Sequence, residues 1–288
     1  MIEGNKPRLQ GHEKFGVREG WINKGLMIIK DNPRAFSGKE GPDKFGIGNN
    51  MVKSLRYWLR AFGLMTESSA DGAILTDEGE LIAEYDIYLE DYFSLWIMHS
   101  NIAKNKKEAT TWFMYFNRCD AEELSKQQIE EILFRETNKY ASGVSFSRNS
   151  LKNDIDVLLN MYSKNKSKVD PEDKNISPFT ELALIKKADG KYSKIHPSNR
   201  IISEWNILYE LSMAMDGKDS ISIEKFVSDE CGINAIYQVT DVVANTLLDK
   251  LEVMGYIHVD RTAGLDVIYK TRDFTKKDVI KGYYESHR

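Results

Sequence analysis

Within seven residues near its N-terminus the chain places an imidazole, a carboxylate and a guanidinium: His12, Glu13 and Arg18. Hydrolysis of a phosphodiester needs a positioned water and stabilisation of the charge that grows on the phosphate oxygens. His12 as a base, or a divalent metal (Mg or Mn) held by Glu13 and Glu19, would meet the first need, and Arg18 the second. The competing reading is structural, with the three side chains forming a hydrogen-bond cluster around Trp21. Asp77, Glu78, Glu90 and Asp91 make a second group of carboxylates. Asp77 and Glu78 are better explained as first-turn helix residues, where negative charge suits the dipole. The remaining signals are poor. The five histidines (12, 99, 196, 258 and 287) form no H-x-x-H or H-x-x-x-H pair, which argues against zinc. Pro42-Asp43-Lys44 is too short for a nuclease P-D-(D/E)-x-K pattern, and Gly46-Ile47-Gly48 lacks the rest of a phosphate loop.

The charge pattern says more than any single motif. Residues 1–60 hold twelve Lys and Arg against six acids, whereas 63–99 hold nine acids and no Lys or Arg, in a chain whose net charge is -4. Such segregation makes an oriented field, and a basic segment is a footprint for a polyanion such as DNA. A solvated helix face is the bland alternative.

The elements that must position these charges follow from periodicity. On a helix over Met51 to Phe62, Val52, Leu55, Leu59 and Phe62 share one side, and Lys53, Arg56 and Arg60 gather on another with Tyr57 at its edge. Asn49 and Asn50 precede it as cap candidates. Gly63 stops it, a short hairpin turns through Asp71-Gly72, and Thr76 caps the next helix. Helix, glycine, hairpin and Leu75-Thr76-x-x-Gly79 give the sequence shape of a winged helix, a fold that lays one helix in the major groove. DNA contacts are therefore expected from Lys14, Asn49, Asn50, Lys53, Arg56, Tyr57 and Arg60.

The pattern recurs twice. Lys126 to Tyr140 reads as a helix, and Ser147 caps another with Leu151, Ile155, Leu158 and Tyr162 inward and Arg148, Lys152 and Asn153 outward. Arg148 and Lys152 join the expected DNA contacts. A Lys-rich loop (163–175) and a hairpin through Ala188-Asp189-Gly190 follow. In the last third, Ser203 and Ser222 cap helices, and 238–254 carries Val239, Val243, Leu247, Leu251 and Met254 on one stripe. Gly255 ends that helix before a hairpin of 256–260 with 266–270. Its outward face shows Asp241, Asn245, Asp249 and Glu252, so phosphates would be repelled and a protein partner is expected there. The fold class read from this is mainly α with small β wings, in three tandem winged-helix-like units. These are a basic DNA-binding unit over 1–105, a middle helical unit with a hairpin over 106–200, and an acidic scaffold or docking unit over 201–288.

At 288 residues, with 41% hydrophobic and 29% charged content, the chain is of soluble globular type. No apolar run nears the ~20 residues that span a bilayer, no signal peptide opens the chain, and Cys119 and Cys231 lie far apart. A cytoplasmic protein without membrane contact is expected.

Residue groups in the first hundred positions also carry a resemblance. They are Gly11-His12-Glu13-x-Phe15-x-x-Arg18-x-Gly20-Trp21, Gly46-x-Gly48-x-Asn50-Met51-Val52-x-Ser54-x-Arg56-Tyr57-Trp58, Leu75-Thr76-x-x-Gly79, Tyr88-Leu89-Glu90-Asp91 and Leu95-Trp96-x-x-His99. They resemble a bacterial family long catalogued as a domain of unknown function, which includes the SspB-type components of Ssp DNA phosphorothioation systems. The resemblance is specific over residues 9–99 and rests on element order elsewhere. It implies a DNA-binding and possible DNA-nicking role in phage defence, beside a cysteine desulfurase, an ATPase and a reductase-like sulfur-transfer protein. Against this stands a non-catalytic winged-helix transcription regulator or adaptor.

Overall fold

The computed structural model describes residues 5–37, 40–163, 176–198, 200–264 and 266–287. The Lys-rich loop expected at 163–175 falls, beyond residue 163, outside them. The chain is mainly helical with small antiparallel sheets, and it divides into two compact units, Met1–Ile195 and His196–Arg288.

The first unit opens with α1 (Trp21–Asp31), α2 (Gly41–Phe45) and α3 (Asn49–Ala61), followed by a hairpin of β1 (Met65–Ser68) and β2 (Gly72–Leu75). Then come α4 (Asp77–Tyr85), α5 (Tyr92–Lys104) and α6 (Thr110–Arg118). It continues through β3 (Glu123–Ser125), α7 (Lys126–Ala141), α8 (Arg148–Ser163) and a 3₁₀ turn at Pro178–Leu182, to β4 (Ile185–Ala188) and β5 (Lys191–Lys194). Residue 105 falls between α5 and α6, which pack on each other within this unit. The stripe expected on α3 is real: Val52, Leu55, Leu59 and Phe62 are all buried. The buried arc is wider than that stripe, because Ser54, Tyr57 and Trp58 are closed to solvent too. The N-terminal segment covers them: the Ser54 hydroxyl and the Trp58 indole N–H both donate to the Phe15 carbonyl, at 3.1 and 3.0 Å.

Helix starts follow local chemistry. The Thr76 hydroxyl accepts the Gly79 N–H at 3.1 Å, capping α4, and Asp91 caps α5 by accepting the Phe93 N–H at 2.8 Å. Ser125 and Gln128 close a reciprocal capping box on α7. Asn49 and Asn50 do not precede α3 as caps. Gly48, in extended conformation, takes the cap position and the two asparagines sit exposed in the first turn.

The second unit contains α9 (Glu204–Ala214), β6 (Ser220–Ser222), α10 (Ile223–Val227), α11 (Ile233–Tyr237), α12 (Asp241–Val253), β7 (Ile257–Asp260), β8 (Val267–Lys270) and α13 (Lys276–Ser286). The helix expected from 238 starts later, because Gln238 adopts a left-handed conformation (φ 52°) that ends α11, and Thr240 then caps α12. Both three-stranded sheets share one order, β3-β5-β4 and β6-β8-β7, with the first strand placed before the helices and the last two after them. The strands β3 and β6 were not expected. Each is three residues long with one buried position, Leu124 or Ile221, too short to show alternation.

Candidate nucleic-acid interface

His12 lies in the core with 0% exposure. Its Nε2–H donates to Asp154 Oδ1 at 2.9 Å, and its Nδ1 accepts the Lys14 N–H at 3.1 Å. The ring stacks on Trp58 (centroids 5.6 Å apart, planes within 9°) and meets Tyr57 and Trp112 edge-on. Asp154, 1% exposed, also accepts the Gln10 N–H and the Thr111 hydroxyl, each at 2.9 Å. The imidazole expected as a base thus lies in the core, with both nitrogens engaged and no solvent access, as the hub of this cluster. Glu13 and Lys14 are exposed beside it, in left-handed backbone (φ 49° and 67°). Arg18 is half-buried, its guanidinium 5.7 Å from the Phe15 ring centre and 5.4 Å from that of Trp21. Part of the alternative reading is therefore present: Arg18 leans on Trp21, while His12 turns the other way, to Asp154.

Tyr57 also departs from expectation. It is 6% exposed and packs on Gly11, where an added Cβ would come within 2.3 Å of the ring. Burial drives its hydroxyl pKa well above the ordinary value, with the nearby Asp154 carboxylate adding to the effect. It forms a wall of the His12 hub.

The outward side chains of α3 do gather. Arg56 and Arg60 line a cavity of about 460 Å³ beside the β1–β2 hairpin, with Ser68 and Ser69 at the turn. Arg34, from the segment between α1 and α2, joins them and donates to the Ala70 carbonyl at 3.1 Å. Sequence periodicity missed Arg34 because it stands outside the helix that carries its neighbours. Two of the guanidinium groups carry internal counter-ions: Arg56 Nε lies 2.7 Å from Glu67 Oε2, and Arg60 Nη2 lies 2.7 Å from Glu108 Oε1. Lys53 is exposed and forms no ion pair among the described residues.

The cations expected on α8 are exposed or half-exposed but partnered by α7. Arg148 pairs with Glu131 and lies over the Phe134 ring, and Lys152 Nζ is 3.1 Å from Glu130. In the second unit the acidic face of α12 is similarly met by residues of the β7–β8 hairpin. Arg261 reaches Asp249 at 2.8 Å and Asn245 at 3.0 Å, while Glu252 accepts the Val259 N–H at 3.1 Å and lies 2.7 Å from His258 Nδ1. Those bonds, the backbone one foremost, hold the Glu252 carboxyl below its ordinary range.

Among the described residues no three His, Cys, Asp or Glu side chains converge on a point that would hold a metal ion. Asp77 and Glu78 occupy the first turn of α4, and Asp91 serves the start of α5. Among the described residues no helix is long and apolar enough to cross a membrane. Neither cysteine forms a disulfide among the described residues, Cys119 being buried and Cys231 half-buried.

The profile of a family described as proteins of unknown function, DUF4007, matches residues 9–284. A search of curated proteins gives no match. Among solved structures, a magnesium ion-bound SspB crystal structure superposes with a TM-score of 0.83 at 23% identity, covering 98% of this chain and 89% of that one. A second SspB crystal structure gives 0.83 at 22% identity, covering 99% and 89%. At these identities the likeness is one of fold. The magnesium belongs to that neighbour.

Proposed function

The chain belongs to the DUF4007 family, and from that premise we propose that it is the DNA-binding component of a bacterial DNA phosphorothioation and phage-defence system. It would act beside the cysteine desulfurase, ATPase and reductase-like protein that the sequence resemblance implies. The observation that carries this reading is the convergence of Arg34, Arg56 and Arg60 on one open cavity next to exposed Lys53, Asn49 and Asn50. Guanidinium forks match phosphate oxygens. The two three-stranded sheets, each with its first strand before the helices and a hairpin after them, support winged-helix-type units around β3–β5 and β6–β8, while α3, followed by the two-stranded β1–β2 hairpin, is the helix we offer to a groove for its charge. Arg148 and Lys152 are secondary contacts, since Glu131 and Glu130 already neutralise them. The test is gel-shift affinity against salt for a variant with Lys53, Arg56 and Arg60 changed to Gln. Weaker binding to all sequences and a slope lower by up to about three supports the reading. An unchanged slope refutes it.

A second reading, a DNA-binding adaptor without catalysis, is favoured by the burial of His12. Full DNA binding with no conversion of supercoiled plasmid to open circle in Mg²⁺ or Mn²⁺ would support it. Conversion that survives His12→Ala would instead place nicking at exposed groups such as Glu13.

A further inference from the structure

A second cavity, of about 270 Å³, opens between the N-terminal segment and α8. Its polar lining is Lys14, Arg18, Asn160 and Ser177, and its apolar wall includes Val157 and Met161. Among the described residues no carboxylate lines it. That separates it from the Arg34–Arg56–Arg60 cavity, where Glu67 forms part of the lining.

Every polar side chain here offers hydrogens: the Lys14 ammonium, the Arg18 guanidinium, the Asn160 amide and the Ser177 hydroxyl. Ser177 is 4% exposed and its oxygen accepts the Phe179 N–H at 3.3 Å. Its hydroxyl hydrogen has no acceptor among the described residues. Neither Lys14 nor Arg18 forms an ion pair among the described residues, unlike Arg56, Arg60, Arg148 and Lys152. Arg18 is nevertheless held in place, because the Phe15 and Trp21 rings flank its guanidinium. Such cation–π contacts restrain the group without using up its N–H donors, which can serve a bidentate acceptor. Lys14 is set by its backbone N–H bond to His12 Nδ1, at 3.1 Å, and so by the buried hub.

Donors without a counter-ion among the described residues make a receptor for an acceptor-rich anion, and the size, just under the ~300 Å³ at which drug-sized ligand pockets start, suits a small one. We infer that this cavity is a phosphate-binding site, in which Arg18 and Lys14 neutralise the anion and Ser177 and Asn160 orient its oxygens. The site is separate from the arginine cavity of α3 and does not depend on that cavity's assignment. The phosphate is either a DNA backbone group or that of a free small molecule.

The test uses the full chain with inorganic pyrophosphate as probe, followed by calorimetry and by Trp fluorescence, since Trp21 borders Arg18. Saturable binding is expected for the native protein, weakened at least tenfold by Arg18→Gln and by Lys14→Gln and less by Ser177→Ala. Lys225→Gln, at an exposed position of the second unit, should leave it unchanged. Should Arg18→Gln melt early, Lys14→Gln, at an exposed position, gives the same reading without loss of the fold. Equal pyrophosphate affinity in native protein and both charge variants overturns the site, as does a loss seen only with Arg56→Gln. The DNA arm separates the sources. A salt slope about one unit lower in Lys14→Gln assigns the phosphate to DNA, and an unchanged slope with lost pyrophosphate binding assigns it to a small molecule.

Discussion

His12 Nε2 donates to Asp154 Oδ1 across 2.9 Å inside the core, joining residues 142 positions apart. That bond ties the N-terminal segment to α8, while Gln10 N–H and the Thr111 hydroxyl complete the acceptor sites of the same carboxylate. The segment then covers the flank of α3, so the hub sets where Lys14 and Arg18 stand.

His12→Ala would leave a buried carboxylate short of a donor, a change that costs about 3–5 kcal/mol. Glu13→Gln, at an exposed position, should stay within about 0.5 kcal/mol. Thermal melts of the two variants, read beside a plasmid-nicking assay, check this. Native melting of His12→Ala would show that the hub does not hold the fold.

Under the proposed function Glu67 would compete with DNA for Arg56, since its carboxylate sits 2.7 Å from the guanidinium. Glu67→Gln should tighten DNA binding at low salt and steepen the salt dependence by up to about one contact. Affinity at or below the native level would mean that Arg56 is committed to the hairpin.

Gly79 stands where an added Cβ would lie 2.1 Å from the Leu64 carbonyl oxygen, so the Leu75-Thr76-x-x-Gly79 pattern ends in a glycine for packing reasons. Gly79→Ala should destabilise the first unit by about 1–3 kcal/mol, measurable by denaturant unfolding. A neutral result would require α4 to shift freely against the end of α3.

Changing Asp249 and Glu252 to Lys should leave DNA affinity equal or higher while impairing assembly with a basic partner protein. Both acids are partly exposed, so losing their pairs with Arg261 and His258 should cost less than about 1 kcal/mol each. A clear drop in DNA affinity would contradict the proposed role of α12.

Burial pushes the Asp86 carboxyl above its ordinary 3.8, outweighing hydrogen bonds from Ser94, Glu90 N–H and Asp91 N–H. An acid raised by folding stabilises the fold most below its unfolded value and loses that contribution as pH rises through the folded one. The melting temperature of Asp86→Asn should therefore fall less steeply than the native one as pH rises from 3.8 through that window. Parallel profiles would remove Asp86 as the cause.

Periodicity and local punctuation determined the helices that carry a stripe and a cap. Leu151, Ile155, Leu158 and Tyr162 face inward on α8, Thr76 starts α4, and the hairpins turn at Asp71-Gly72 and Asp189-Gly190. These features rest on contacts within a few residues, which a linear sequence displays. The sequence also determined the basic balance of the first sixty positions. Only tertiary structure decided which of those charges and rings reach solvent. Tyr57 and His12 look like site residues by type, and they are buried because the N-terminal segment folds over α3 to meet Asp154. Arg34 looks like an isolated loop cation, and it joins Arg56 and Arg60 because the hairpin turn comes beside it. Burial and convergence depend on partners dozens to hundreds of positions away, and no local pattern encodes the distance between them.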